Sequence, residues 1–266
     1  MPTPRNYQTE AIVIKKTKLG EADRILTLFT PNLGKIRAVA KGVRRPRSRM
    51  SGHLELLTHS LISLARGRNI DTITNVQTIN SFLPLKTDLL LGSHAYYVIE
   101  LVEQFTADHV ENYAIFQLLL GTLQRLSDGG NNMLLRHFEM YLLDKSGYRP
   151  QIHECVSCHA VLLPVMNSFC AGAGGILCPA CARDQASTYR LSVDAQKVLK
   201  LLQKDDYDTA SRLKISPELS FELEQVIRYY IRYLLERDVK SISWLDMLRK
   251  QSVVDSQDVR TKGILS

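Results

Sequence analysis

Long apolar runs are missing from these 266 residues. No window approaches the ~18 consecutive apolar residues that a membrane-spanning helix requires. The opening MPTPRNYQTE has no apolar core of the kind a secretory leader carries. A cytoplasmic protein is therefore expected, with no membrane partner. Cysteine is scarce, five in all. In a reducing compartment so few cysteines are expected as metal ligands or free thiols rather than as disulfides. No G-x-x-x-x-G-K-S/T phosphate loop, nucleophile elbow or paired-carboxylate motif occurs, so nothing points to an enzyme. Internal repeats and low-complexity tracts are absent as well.

Another absence is local. The stretch KIRAVAKGVRRPRSR, residues 35–49, contains no acid. The net charge is +7, yet residues 1–80 hold 14 Lys/Arg against 5 Asp/Glu, a balance of +9. The remaining residues hold 20 against 22, a balance of −2. All the excess cation therefore sits in the first third, the pattern of a polyanion-binding module joined to a near-neutral body.

That first third reads as β-structure. TEAIVIKK, RILTLFT and KIRAVAK have the β-branched content and partial alternation of strands. Pro31-Asn32-Leu33-Gly34 between the last two is a hairpin signal, because Gly34 adopts a positive φ cheaply. ELLTHSLISLA and NIDTITNVQTIN give two more strands around the turn Arg66-Gly67-Arg68-Asn69. Five strands with turn-rich joins fit a small barrel such as the OB-fold, and fit a sandwich fragment almost as well.

From Leu85 the apolar period changes to that of helices, in GSHAYYVIELVEQF, NYAIFQLLLGTLQRL and NMLLRHFEMYLLDK. Ser192 is a predicted N-cap, and Ser216-Pro217-Glu218 opens a second late helix with a cap, a first-turn proline and an acid at the positive dipole end. Phe221, Tyr229, Tyr230 and Tyr233 on that helix read as core packing. His94, His109 and His137 show no metal-ligand spacing. The expected domains are a basic barrel over 1–80, a helical domain over 81–250 and a disordered tail over 251–266.

Between the helical stretches lies Cys155-Val-Ser-Cys158 … Cys178-Pro-Ala-Cys181, a C-x2-C-x19-C-x2-C arrangement within an insert at about 150–185. Two such knuckles each place two sulfurs on one turn, and four thiolates suit tetrahedral Zn2+. A closed four-thiolate site leaves no position for a catalytic water, so the expected role of the Zn2+ is structural. A deaminase reading fails because His153 and Glu154 are adjacent and proline lies inside the CxxC. A thioredoxin-like role would need a βαβ setting. Cys170 and His159 are spare donors that could replace a ligand.

In the basic stretch, Lys35, Arg37, Lys41, Arg44, Arg45, Arg47 and Arg49 are candidate phosphate contacts. Lys35 and Arg37 alternate along one strand and so share a face. No aromatic residue is interleaved among them, which predicts backbone-dominated binding with little sequence preference.

EADRILTLFTPNLGKIRAVAKGVRRPRSR, FEMYLLDKSGYRPQIHECVSC, the CPAC knuckle and RYYIRYLLERDVKS together resemble the RecO family of bacterial recombination mediators, over roughly residues 5–245. The resemblance implies an α+β architecture: an N-terminal OB-fold β-barrel, then a mostly α-helical domain with an inserted four-cysteine zinc-binding motif. It implies binding of single- and double-stranded DNA and annealing of complementary strands. It also implies RecR, the C-terminal tail of single-strand-binding protein, RecA and RecF as partners, at the bacterial nucleoid. The basic positions matching the family are Lys35, Arg37, Lys41, Arg44 and Arg45. A zinc-ribbon protein–protein adaptor whose basic module binds RNA or an acidic partner is the competing expectation. A nuclease ranks third, for want of an acidic metal-binding cluster.

Overall fold

A computed structural model of the chain describes residues 5–130, 132–204 and 207–248. The expected tail over 251–266 lies outside them. By their internal contacts the described residues divide into two compact units, one within 1–129 and 240–266 and the other within 130–239.

The first unit is built on a closed five-stranded barrel in the order β1-β2-β3-β5-β4, an OB-like arrangement. Its strands are β1 (Asn6–Leu19), β2 (Asp23–Thr30), β3 (Gly34–Ala40), β4 (His59–Ala65) and β5 (Asp71–Asn80). β1 serves two neighbours. Its first half pairs with β4, its second half with β2, and a bulge between Val13 and Lys15 marks the changeover. Such a bulge bends the strand, which lets one strand turn a barrel corner. Closure on the other side is slight: β3 and β5 run parallel and share only the pairs Ala38↔Asp71 and Val39↔Thr72.

Alternation sets the core. Ala11, Val13, Leu26, Leu28, Ile36, Ala38, Ile62, Leu64 and Ile73 point inward and form one buried cluster. Val43 and Leu54 from the segment after β3 join it. The predicted fourth strand begins later than its sequence pattern suggests. The stretch from Glu55 to Thr58 is a bend and turn instead, in which Leu57 takes a positive φ of 68° and is buried, and pairing starts only at His59.

Outside the barrel lie α1 (Pro84–Thr87), α2 (Leu89–Phe105) and α3 (Tyr113–Ser127). Asp88 caps α2 by accepting from the Leu91 N–H at 2.8 Å, and Asn112 caps α3 through the Ile115 N–H at 3.0 Å. Phe116 of α3 packs on Phe29 and His59 on the barrel's outer face, with ring centroids 6.2 and 6.0 Å apart.

The second unit holds α4 (Asn132–Lys145), a small sheet of β6 (Asn167–Cys170), β7 (Gly175–Leu177) and β8 (Tyr189–Leu191), and α5 (Pro179–Ala182), α6 (Val193–Leu202), α7 (Tyr207–Ser211) and α8 (Pro217–Leu235). Ser192 and Ser216 cap α6 and α8 as predicted, accepting from Ala195 and Leu219 N–H groups. In its core Arg136 donates to Glu139 at 2.8 Å, and Arg228 pairs with Glu224 one turn away along α8. Such charges persist in a helical core only as pairs. Tyr230 is buried as predicted and meets Phe169 edge-on at 5.2 Å, but Phe221 and Tyr233 are exposed. Both lie on the outward stripe of an amphipathic helix whose buried stripe carries Leu223, Val226, Ile227 and Ile231.

Candidate nucleic-acid interface and metal centre

The basic segment after β3 is an ordered loop. The Gly42 N–H donates to Asp23 Oδ1 at 2.7 Å, and the Arg44 N–H donates to the Ala22 carbonyl at 2.9 Å. The Arg44 guanidinium reaches the Gly20 carbonyl at 3.0 Å. Val43, between the two anchored residues, is buried in the barrel core. These contacts fasten the loop to the β1–β2 turn, while Lys41, Arg44, Arg45, Arg47 and Arg49 face solvent. Among the described residues no carboxylate pairs with any of these five, or with Arg37. The cationic charge is thus held in place and left uncompensated, which is what a phosphate chain requires.

Arg37 lies at the middle of β3 on the outer face. Across the sheet it is opposite Thr27 of β2, which is opposite Lys15 of β1. Lys15 is held by Glu103 Oε1 at 2.5 Å. Lys35 shares the outer face with Arg37, as alternation predicts, but not its exposure. Lys35 is only 9% exposed. Its ammonium donates to the carbonyls of Glu103 and Thr106 at 2.8 and 2.7 Å and lies 3.4 Å from Asp108 Oδ1. These carbonyls end α2, where the helix dipole is negative, so the charge is satisfied within the fold. The expectation that Lys35 contacts phosphate is corrected accordingly: it fixes α2 to the barrel.

Beside Arg37 a groove of about 570 Å³ opens where β3 runs unpaired with β5. Its lining includes Tyr7, Arg37, Arg66, Asp71, His109 and Glu111. The Tyr7 hydroxyl donates to Asp71 Oδ2 at 2.6 Å, and the Arg66 guanidinium lies 4.9 Å from the Tyr7 ring centre. Burial, then the hydrogen bond to Asp71, raises the Tyr7 phenol above its ordinary range, so it remains a donor. The sequence reading missed this groove. The turn Arg66-Gly67-Arg68-Asn69 was visible in the sequence, but nothing there placed Tyr7 beneath it.

The four knuckle cysteines come together. The sulfurs of Cys155, Cys158, Cys178 and Cys181 all lie within 4.8 Å of one another, with Cys158 and Cys178 at 3.9 Å. Tetrahedral Zn2+ with four Zn–S bonds needs sulfurs about 3.8 Å apart. Cys170, buried at the end of β6, and His159 are not in the cluster. The first knuckle is closed by Cys155 N–H to the Ala160 carbonyl and His159 N–H to the Cys155 carbonyl, both 2.9 Å. The second opens α5, and its Cys178 N–H donates to Cys155 Sγ at 3.3 Å. Burial alone would push the Cys155 thiol up, but the N–H groups of Cys158, Cys178 and Ser157 outweigh it and draw it down to about 6. At Cys181 the Ser157 hydroxyl favours ionisation, while the Cys178 and Cys158 sulfurs oppose it and prevail. Four crowded sulfurs thus release the first proton easily and the last reluctantly, and a dication at the centre resolves that conflict. The donor set, spacing and N–H contacts fit a metal.

Residues 3–82 match the family model for the recombination protein O N terminal, and residues 86–242 the one for the recombination protein O C terminal. The chain belongs to the recombination protein O family. It is 46% identical over 254 residues to the DNA repair protein RecO of Dehalococcoides mccartyi, covering 95% of this chain and all of that one. Identity to the DNA repair protein RecO of Roseiflexus sp. is 43% over 247 residues, 92% of this chain and 87% of the relative. To that of Desulforamulus reducens it is 35% over 247 residues, 93% of this chain and 96% of the relative. The basic loop and the groove's strands fall in the N-terminal RecO match, the cysteine cluster in the C-terminal one. Among the described residues, no helix is long and apolar enough to cross a membrane.

Proposed function

We propose that this RecO-family protein is a non-enzymatic mediator of recombinational DNA repair in the bacterial cytoplasm, working at the nucleoid. It binds single- and double-stranded DNA through phosphates, with little sequence preference, and anneals complementary strands. Arg37, Lys41, Arg44, Arg45, Arg47 and Arg49 make the contacts. The observation that carries this reading is the anchored loop of residues 41–49, five exposed cations without an acidic partner among the described residues. Two single strands repel through their phosphates. A fixed cationic surface lowers that repulsion and concentrates both strands, and pairing then proceeds without a covalent step. Family membership extends the proposal to RecR and the C-terminal tail of single-strand-binding protein as partners. Loading of RecA onto coated DNA follows from them, and RecF acts in the same assembly.

Cys155, Cys158, Cys178 and Cys181 hold structural Zn2+ in this reading. Bound by four thiolates, the ion would have no open position and would supply cross-linking alone. The adaptor alternative is favoured by one feature of the same insert, the exposed apolar side chains of Val161, Leu163, Val165 and Met166. Competition between single-stranded DNA, duplex and RNA separates the two readings. The decisive test is binding of single-stranded and duplex DNA by an Arg45→Ala, Arg47→Ala, Arg49→Ala variant over a range of salt. The slope of log affinity against log salt should fall by about 2 to 3. An unchanged slope would overturn the proposal.

A further inference from the structure

The groove beside Arg37 has a construction that phosphate binding does not explain. Arg66 is not a loose surface cation. It lies over the Tyr7 ring at 4.9 Å, and Tyr7 is tied to Asp71 Oδ2 at 2.6 Å. The other oxygen, Asp71 Oδ1, accepts the Gly67 N–H at 3.0 Å and so closes the turn that carries Arg66. Gly67 is required at that turn, since a Cβ there would meet the Ile70 carbonyl oxygen at 1.9 Å. The guanidinium is therefore backed by a ring, carried on a locked turn, and lines the groove. Another part of the lining is also fixed. The His109 N–H donates to the Lys35 carbonyl at 2.9 Å, and His109 sits at φ 60°. The lining mixes signs, with Arg37 and Arg66 against Asp71 and Glu111. A seat for phosphate alone would be cationic throughout. A nucleotide has a phosphate for an arginine, a flat base for a planar guanidinium, and base N–H groups for a carboxylate.

We propose that this groove seats one unpaired nucleotide of a bound single strand, with its base lying on the Arg66 guanidinium, its phosphate against Arg37 and its base edge toward Glu111. The assignment rests on the nucleic-acid reading above and adds to it a preference for unpaired bases. A groove of about 570 Å³ is of mononucleotide size. Bases within a duplex have both faces covered by their neighbours, so only an unstacked base can lie on Arg66. During annealing such a seat would hold one strand with a base turned out, while the cations of residues 41–49 hold phosphates of either form.

The test compares the intact chain with Arg66→Lys, which keeps the charge and removes the plane. Three probes are titrated: a thymidine oligomer, an abasic oligomer of the same length and a duplex. Arg66→Lys should weaken the thymidine oligomer about fivefold or more while abasic and duplex affinities stay within about twofold. The wild-type preference for the thymidine over the abasic strand should disappear. Equal loss on all three probes would make Arg66 a plain phosphate contact and overturn the assignment. Unchanged binding of all three would overturn it too, and either result leaves the cationic-loop reading standing. If the wild-type chain binds none of the probes, the nucleic-acid reading itself fails, and the seat with it.

Discussion

The two units use arginine in opposite ways. In the barrel unit, Arg45, Arg47 and Arg49 stand in solvent on a loop that the fold anchors through Gly42, Val43 and Arg44. In the other unit, Arg136 is 3% exposed and bonded to Glu139, and Arg228 pairs with Glu224. The first set is available to a polyanion; the second is part of a core. Two neighbours within one strand repeat the contrast, since Lys35 ends a helix and Arg37 faces outward. A count of cations is therefore a poor measure of a binding surface. What matters is whether the fold has already supplied the counter-charge.

That contrast can be broken from its buried side first. Glu139→Ala strips the buried arginine of a partner and should cost about 3–5 kcal/mol in denaturant unfolding, because the remaining charge stays in the core. DNA affinity of the surviving folded fraction should be unchanged. Cys155→Ser comes next. It should lower metal content well below one per chain and lower the thermal midpoint, with the barrel's DNA binding retained. Intact metal stoichiometry in that variant would mean that a fifth donor substitutes.

Lys35→Met is the sharpest middle case. It leaves the Glu103 and Thr106 carbonyls unpaired and should destabilise the chain by about 1–3 kcal/mol. The salt slope of DNA binding should be unaffected. A slope reduced by about 1 would return Lys35 to the phosphate contacts. The smallest effect belongs to Arg47→Ala, within about 0.5 kcal/mol in stability but about 1 in salt slope. If the four variants shift stability and slope together, the contrast between structural and available charge is wrong.

Much of this was legible in the sequence, and for a local reason. Strand alternation, the Pro31–Gly34 turn, the Ser192 and Ser216 caps and the CxxC spacing are signals carried within a few residues. They delivered five strands, two helix starts and the four clustered sulfurs. What failed was non-local. Lys35 is buried by the end of a helix about seventy positions along the chain. Tyr7 is likewise far in sequence from Arg66 and Asp71, which share one turn, and it meets them because β1 pairs with β4 around the barrel. Phe221 and Tyr233 were misplaced because aromatic content suggested burial, whereas the helical stripe decides which side of α8 faces inward.

Gly34 touches no anion and carries no charge, yet a methyl group added there would press to 2.0 Å from the carbonyl oxygen of Val110. The segment bearing His109 and Glu111 can therefore rest on the β2–β3 hairpin only while position 34 is bare. The width of a slot meant for a flat ring is thus limited at this wall by a residue that has no side chain.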